Sequence, residues 1–150
     1  MVPTKYVRES GHFSWYTFLY CMLRLNTILL LIASSVLSAT HILASEFFLY
    51  WRYPWFDVPM HILGGIVAAL FIFFLADLRI LSSRRWRSCF SVMTFVLIVA
   101  IVWECYEVVI GVQIQDNYVF DTTIDVVAGL LGGLLGFFIG SKILTLEIKV

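Results

Sequence analysis

Four apolar runs, each long enough to cross a bilayer, constrain this chain more than any other feature. A hydrocarbon core about 30 Å thick needs about 20 helical residues at about 1.5 Å each. Leu25 to Ser45 lies between Arg24 and Glu46 with no Asp, Glu, Lys or Arg inside it. Val58 to Ala76 lies between Asp57 and Asp77 with His61 as its only ionisable group. The third run starts at Cys89, passes Glu104 and Glu107, and reaches Ile110; the fourth, Val126 to Ser141, lies between Asp125 and Lys142. Barrel strands would be shorter and would alternate in polarity. The expectation is therefore an all-α polytopic membrane protein. It is a four-transmembrane-helix bundle forming one membrane domain over residues 1–150, with spans near 25–45, 57–77, 89–110 and 124–142. Composition agrees: the 150 residues are 61% hydrophobic and 13% charged, where a soluble domain is about half apolar and about a quarter charged.

The first run is too long for the apolar region of a signal peptide, and three more spans follow it. Ahead of it, Phe13, Trp15, Tyr16, Phe18 and Tyr20 with Arg8 and Arg24 suggest an N-terminal interfacial helix. A formal net charge of zero offers no basic field for nucleic acid. Cys21, Cys89 and Cys105 lack the spacing of a disulfide framework or a zinc knuckle, and read as small apolar residues. Gly132, Gly136 and Gly140 form a small-residue stripe on span four, and Gly64, Gly65, Ala68 and Ala69 form one on span two. Such stripes let helix backbones approach closely in lipid. Packing within the chain is the favoured use, with a homo-oligomer through span four as the alternative.

Basic residues set the direction. Arg79, Arg84, Arg85 and Arg87 fall between spans two and three; Lys5, Arg8 and Arg24 precede span one; Lys142 and Lys149 follow span four. The other two connections hold only Arg52. Positive residues stay on the cytoplasmic side, so the chain is expected in the cell membrane with both termini and the 77–88 loop cytoplasmic. Trp51, Tyr53 and Trp55 then form an outer aromatic belt, with Trp86 at the inner interface.

With direction set, the helical rise places His41, Asp57, His61, Glu104, Glu107, Asp121 and Asp125 in one layer at or just below the outer surface. Asp57 and His61 are i,i+4, Glu104 and Glu107 are i,i+3, and Asp121 and Asp125 are i,i+4, so each pair shares a helix face. Ionisable groups in a membrane face the protein interior or a water-filled cavity. Asp57 and Asp121 also read as helix N-caps, and His41 as a hydrogen-bonded packing residue. Glu104 and Glu107 have no basic residue at i±4. The layer is self-repulsive unless protons are shared or a cation is bound. Candidate metal ligands are His61, Glu104, Glu107 and Asp125, a donor set suited to Mg²⁺, Mn²⁺ or Ca²⁺, or to Zn²⁺ with few carboxylates. Glu104, Glu107 and His61 are also the candidate catalytic groups, and Asp57, Asp121 and Asp125 the candidate substrate-binding shell. From depth, the short loop and the glycines after His61, His61 and Glu104 are expected within about 6 Å of each other. No H-E-x-x-H, C-x-x-C, G-x-S-x-G or P-loop motif is present.

The ordered motifs Asp57-x-x-x-His61-x-x-Gly64-Gly65, Trp103-Glu104-x-x-Glu107 and Asp121-Thr122-x-x-Asp125 followed by glycines resemble the small bacterial inner-membrane proteins of the YjdF-like group. They are more distantly similar to the VanZ-like group. The resemblance spans roughly residues 50–140. It implies a compact multi-span protein with an Asp/His motif opening one helix and an acidic motif before a Gly-rich last helix. It carries no settled activity from the YjdF-like group, and from the VanZ-like group a link to glycopeptide-antibiotic tolerance.

Three functions compete. The first is binding or modifying an amphipathic cell-envelope molecule, a lipid or lipid-linked precursor, at an extracytoplasmic acidic/His pocket that holds a divalent cation. The second is a structural or regulatory subunit whose polar cluster locks helix packing. The third is transport or proton/cation conduction, against which the apolar inner half of the spans counts. Direction is directly testable. In an otherwise cysteine-free variant, an impermeant thiol reagent added to intact cells should label Asn117→Cys and leave Ser83→Cys untouched; labelling at 83 alone would invert the assignment.

Overall fold

The computed structural model of the chain describes residues 24–78, 80, 81, 83–111 and 117–149. Four long helices dominate: α1 (Leu25–Glu46), α3 (Asp57–Asp77), α4 (Cys89–Ile110) and α5 (Tyr118–Lys149), with a short α2 (Leu49–Arg52) between the first two. Single 3₁₀ turns at Pro54–Phe56 and Arg84–Arg87 lead into α3 and α4. All four long helices have the length and hydropathy to cross a membrane. No strand occurs among the described residues. The fold is thus an all-α, multi-pass membrane bundle, as the four apolar runs require. The interfacial helix expected before Arg24 lies outside the described residues, as do Cys21 and Arg79. Cys89 and Cys105 are free and exposed.

Helix boundaries follow local chemistry. Ser88 caps α4, its hydroxyl accepting from the Ser91 N–H at 3.2 Å. Gly111 ends that helix in the left-handed region, φ 70°, which costs glycine little. Between α1 and α2, Phe48 takes φ 55°, a conformation costing a non-glycine residue about 1–2 kcal/mol. That turn folds α2 back so that Tyr50 reaches His41, with Nδ1 and the phenol oxygen 2.8 Å apart.

The closest pair in the bundle is α3 with α5; α1 packs on α3, and α4 packs on both central helices. Glycines explain the intimacy of the central pair. A Cβ added at Gly65 would collide with the Gly129 carbonyl and lie 2.8 Å from the Gly133 nitrogen. One added at Gly132 would collide with the Ile62 carbonyl, and at Gly136 it would lie 2.8 Å from the Ile66 carbonyl oxygen. The stripes on spans two and four therefore meet each other backbone to backbone, and the glycine face of span four is taken up within the chain. Below this seam, Ala68, Ala69, Ile72, Phe73, Val92 and Val96 form an apolar core. Large apolar residues such as Leu31, Ile32, Ile98 and Val102 are exposed on the flanking helices. Such a surface has no aqueous rationale and suits lipid.

At the end of the bundle away from His61, Arg24 Nη1 pairs with Asp77 Oδ1 at 2.5 Å. The Asp77 side chain is only 2% exposed, the Arg24 side chain 34%. Breaking a buried pair costs about 3–5 kcal/mol by stranding one charge; the partial exposure of Arg24 puts this pair at the low end. The contact clamps the start of α1 to the end of α3.

The seam makes a sharp prediction at two adjacent positions. Gly64 has nothing within 4 Å of an added Cβ, whereas Gly65 meets backbone of another helix. Gly64→Ala should leave the unfolding temperature in mild detergent unchanged or raised, alanine being about 1 kcal/mol better in a helix. Gly65→Ala should lower it, overpacking costing about 1–3 kcal/mol or more where backbone cannot yield. Equal behaviour would contradict the seam.

Candidate metal centre

The α3–α5 seam sets the position of His61. Its carbonyl oxygen lies 3.8 Å from where a Gly129 Cβ would stand, so the α5 backbone runs directly alongside. Asp125, one turn before Gly129, is thereby carried to the His61 ring: Asp125 Oδ1 is 4.0 Å from Nε2. Asp57, one turn above His61 on α3, places Oδ1 3.5 Å from the same nitrogen. Glu104 arrives from α4, with Oε1 at 3.8 Å. Three carboxylates from three helices thus surround one imidazole nitrogen. His61, Glu104 and Asp125 are buried, and Asp57 is half-buried. The His61–Glu104 separation falls within the distance expected from helix arithmetic.

Two overlapping groups could hold a cation. Asp57, His61 and Asp125 form one, and His61, Glu104 and Glu107 the other; within each, the ligand atoms lie within 4.8 Å of one another. A candidate divalent-metal-binding cluster of His, Asp and Glu is therefore present, in agreement with the expected cofactor class. Bonds of about 2.0–2.2 Å put adjacent ligand atoms about 3.0–3.5 Å apart. The observed separations are slightly wider, so a bound ion would draw the side chains inward by less than an ångström each, roughly.

The cluster has few compensating charges. Among the described residues, the His61 imidazole is the one basic side chain within ion-pair distance of its carboxylates. Oε1 of Glu104 is buried and makes no hydrogen bond. Glu107 is better placed, accepting from Trp103 Nε1 at 2.7 Å. Asp121 lies one turn above Asp125 and outside both ligand groups. His41 is not a member either; it contacts Tyr50 and meets the Trp103 ring edge-on at 6.2 Å. Burial, with the Asp57 and Glu107 carboxylates nearby, pushes the Tyr50 phenol up to about 12. Tyr50 is thus a neutral phenol, and the imidazole tautomer sets the direction of its hydrogen bond with His41.

Two capping assignments are corrected. Phe56, before α3, already has helical angles (φ −66°, ψ −24°) and α3 has no side-chain cap. The 3₁₀ turn Pro54–Phe56 runs straight into the helix, so Asp57 is its first residue and its carboxylate turns to His61. Helix α5 begins at Tyr118, a turn earlier than a cap at Asp121 would allow. The Asn117 carbonyl accepts from the N–H groups of Phe120 and Asp121 at 3.0 and 3.2 Å.

Sequence reasoning missed Tyr50, the Trp103–Glu107 bond and the Arg24–Asp77 pair. The second was readable, since Trp103 and Glu107 are i,i+4. The third was also readable, because Arg24 and Asp77 end adjacent antiparallel spans at the same depth. Tyr50 required the left-handed turn at Phe48, which no residue type announces.

Fold and site together define a class: a multi-pass α-helical membrane protein with a buried His–carboxylate cluster between three of its spans. The family described as "Predicted membrane protein (DUF2238)" matches residues 13–145, and the chain belongs to it. No curated protein and no solved structure matches the chain.

Proposed function

We propose that this is a single-domain cell-membrane protein with both termini cytoplasmic, whose His61-centred cluster binds one divalent cation on the extracytoplasmic side. There it binds or modifies an amphipathic envelope molecule. The observation that carries the reading is the convergence of Asp57, Glu104 and Asp125 oxygens within 4.0 Å of His61 Nε2. In a low-dielectric seam such a set is repulsive unless neutralised, and a divalent ion neutralises it with the hard oxygen and single nitrogen donors it prefers. His61 is common to both ligand groups and Nε2 can ligate only one ion, so the stoichiometry is one. His61, Asp57, Glu104 and Asp125 hold it in this reading, with Glu107 as the carboxylate left for acid–base work and Asp121 facing the substrate head. A bound ion would act as a Lewis acid on a headgroup oxygen. The motif order is also the ground for placing the chain near the YjdF-like and VanZ-like proteins.

Conduction through the bundle is disfavoured because an apolar plug that includes Ala68, Ile72, Phe73, Val92 and Val96 separates the cluster from Asp77. A purely structural lock is the reading to test against, since the same side chains link α3, α4 and α5. Mn²⁺ titration of the purified protein, followed by electron paramagnetic resonance, separates the two. The cation reading expects one ion per chain and a loss of at least about tenfold in affinity for Glu104→Gln, with the metal-free unfolding temperature little changed. Affinity should also fall with falling pH, since ligands must lose protons to bind. A structural lock expects no stoichiometric ion and a marked drop in unfolding temperature for Glu104→Gln.

A further inference from the structure

Glu104 has a second neighbourhood. Besides facing His61, it lines a cavity of about 310 Å³ between α4 and α5. The other walls include Ile101, Cys105 and Val108 from α4 and Tyr118 and Val126 from α5. Apart from Glu104, Thr122 and the Tyr118 phenol, the lining is apolar. Such a volume is at the low end of small-molecule pockets. It is too apolar for a sugar or nucleotide.

Depth identifies what the cavity opens onto. Counting from Cys89, Ile101 stands about 18 Å and Val108 about 28 Å along α4, within the outer half of a hydrocarbon layer about 30 Å thick. Ile101, Cys105 and Val108 are exposed on the helix surface, and at this depth that surface meets acyl chains. The groove therefore opens sideways into lipid. At its inner wall the Glu104 residue is only 6% exposed, and its Oε1 lacks a hydrogen-bond partner. An apolar groove open to the bilayer thus has as part of its inner wall a buried acid, Glu104, that belongs to the cation cluster.

Resting on the cation-site reading above, we propose that this groove is a lateral portal for one acyl chain of an outer-leaflet phospholipid, whose headgroup reaches the His61–Glu104 centre. The headgroup class follows from charge. Asp57, Glu104, Glu107, Asp121 and Asp125 are five acids against the two charges of one divalent ion, His61 being neutral as its ligand, so a head carrying an ammonium group is favoured over an anionic one. Phosphatidylethanolamine has that chemistry; phosphatidylglycerol does not.

The test uses the full chain extracted from vesicles of equal phosphatidylethanolamine and phosphatidylglycerol, with retained lipid read by native mass spectrometry. Two variants fill the groove: Ile101→Trp, and Cys105→Trp at an exposed position where added bulk meets no core. Ile98→Trp, on an exposed face of α4 outside the groove, is the control. The expected result is one phosphatidylethanolamine retained by the parent and by Ile98→Trp, with several-fold lower occupancy in both groove-filled variants. Unchanged retention in Ile101→Trp and Cys105→Trp overturns the proposal, as does equal or greater retention of phosphatidylglycerol. Mn²⁺ titration of the same samples keeps the two readings apart. Lipid loss with Mn²⁺ affinity intact upholds the portal; a parent that binds no Mn²⁺ sinks the cation reading and, with it, the headgroup's target.

Discussion

Backbone contact between α3 and α5 is the constraint on which the rest of the bundle depends. In lipid there is no hydrophobic force between helices, so association rests on close packing and interhelical polar contacts. Gly65, Gly132 and Gly136 remove the side chains that would hold these two helices apart. The same approach sets the site. Asp125 sits one turn from Gly129 and His61 one turn from Gly65, so closing the seam brings carboxylate and imidazole together. Helix α4 then needs only to lie against the pair for Glu104 to complete the cluster.

Electrostatics runs against packing at this point. Buried carboxylates are costly, and those of the cluster stand close enough to repel. At the other end, Arg24 and Asp77 meet the same problem with a direct ion pair at 2.5 Å. The contrast is informative. Where the chain uses a buried charge as a clamp, it supplies the opposite charge from a neighbouring helix. Around His61 it supplies several acids and one imidazole, with a carboxylate oxygen of Glu104 left without a hydrogen bond. A clamp would not be built so unevenly, and the surplus suits a ligand that carries positive charge.

Most of this was legible in the chain because membrane depth is one-dimensional. Span length, helical rise and the Arg-rich loop put His61 and Glu104 at one level, and the glycines after His61 marked the face where another helix could come close. What depth could not supply was the exact start of a helix or the path of a turn. Asp57 and Asp121 looked like caps because each opens an apolar run. Backbone hydrogen bonding begins the helices earlier, through Pro54–Phe56 and through Asn117, and frees both carboxylates. The use of Gly64 was also beyond reach: it shares a motif with Gly65, yet only Gly65 faces α5. Which of two adjacent glycines turns inward depends on helix rotation, and an apolar helix with little amphipathic contrast does not encode that in its pattern.

A cation ligated through His61 Nε2 would account for the uneven charge around that imidazole. Pulsed electron paramagnetic resonance of the Mn²⁺-loaded protein, grown with ¹⁵N-labelled histidine, tests it most directly. Modulation from one directly bound imidazole nitrogen is expected, abolished in His61→Gln and retained in His41→Gln. Bound Mn²⁺ with no imidazole nitrogen coupling, or with coupling that survives His61→Gln, would contradict it.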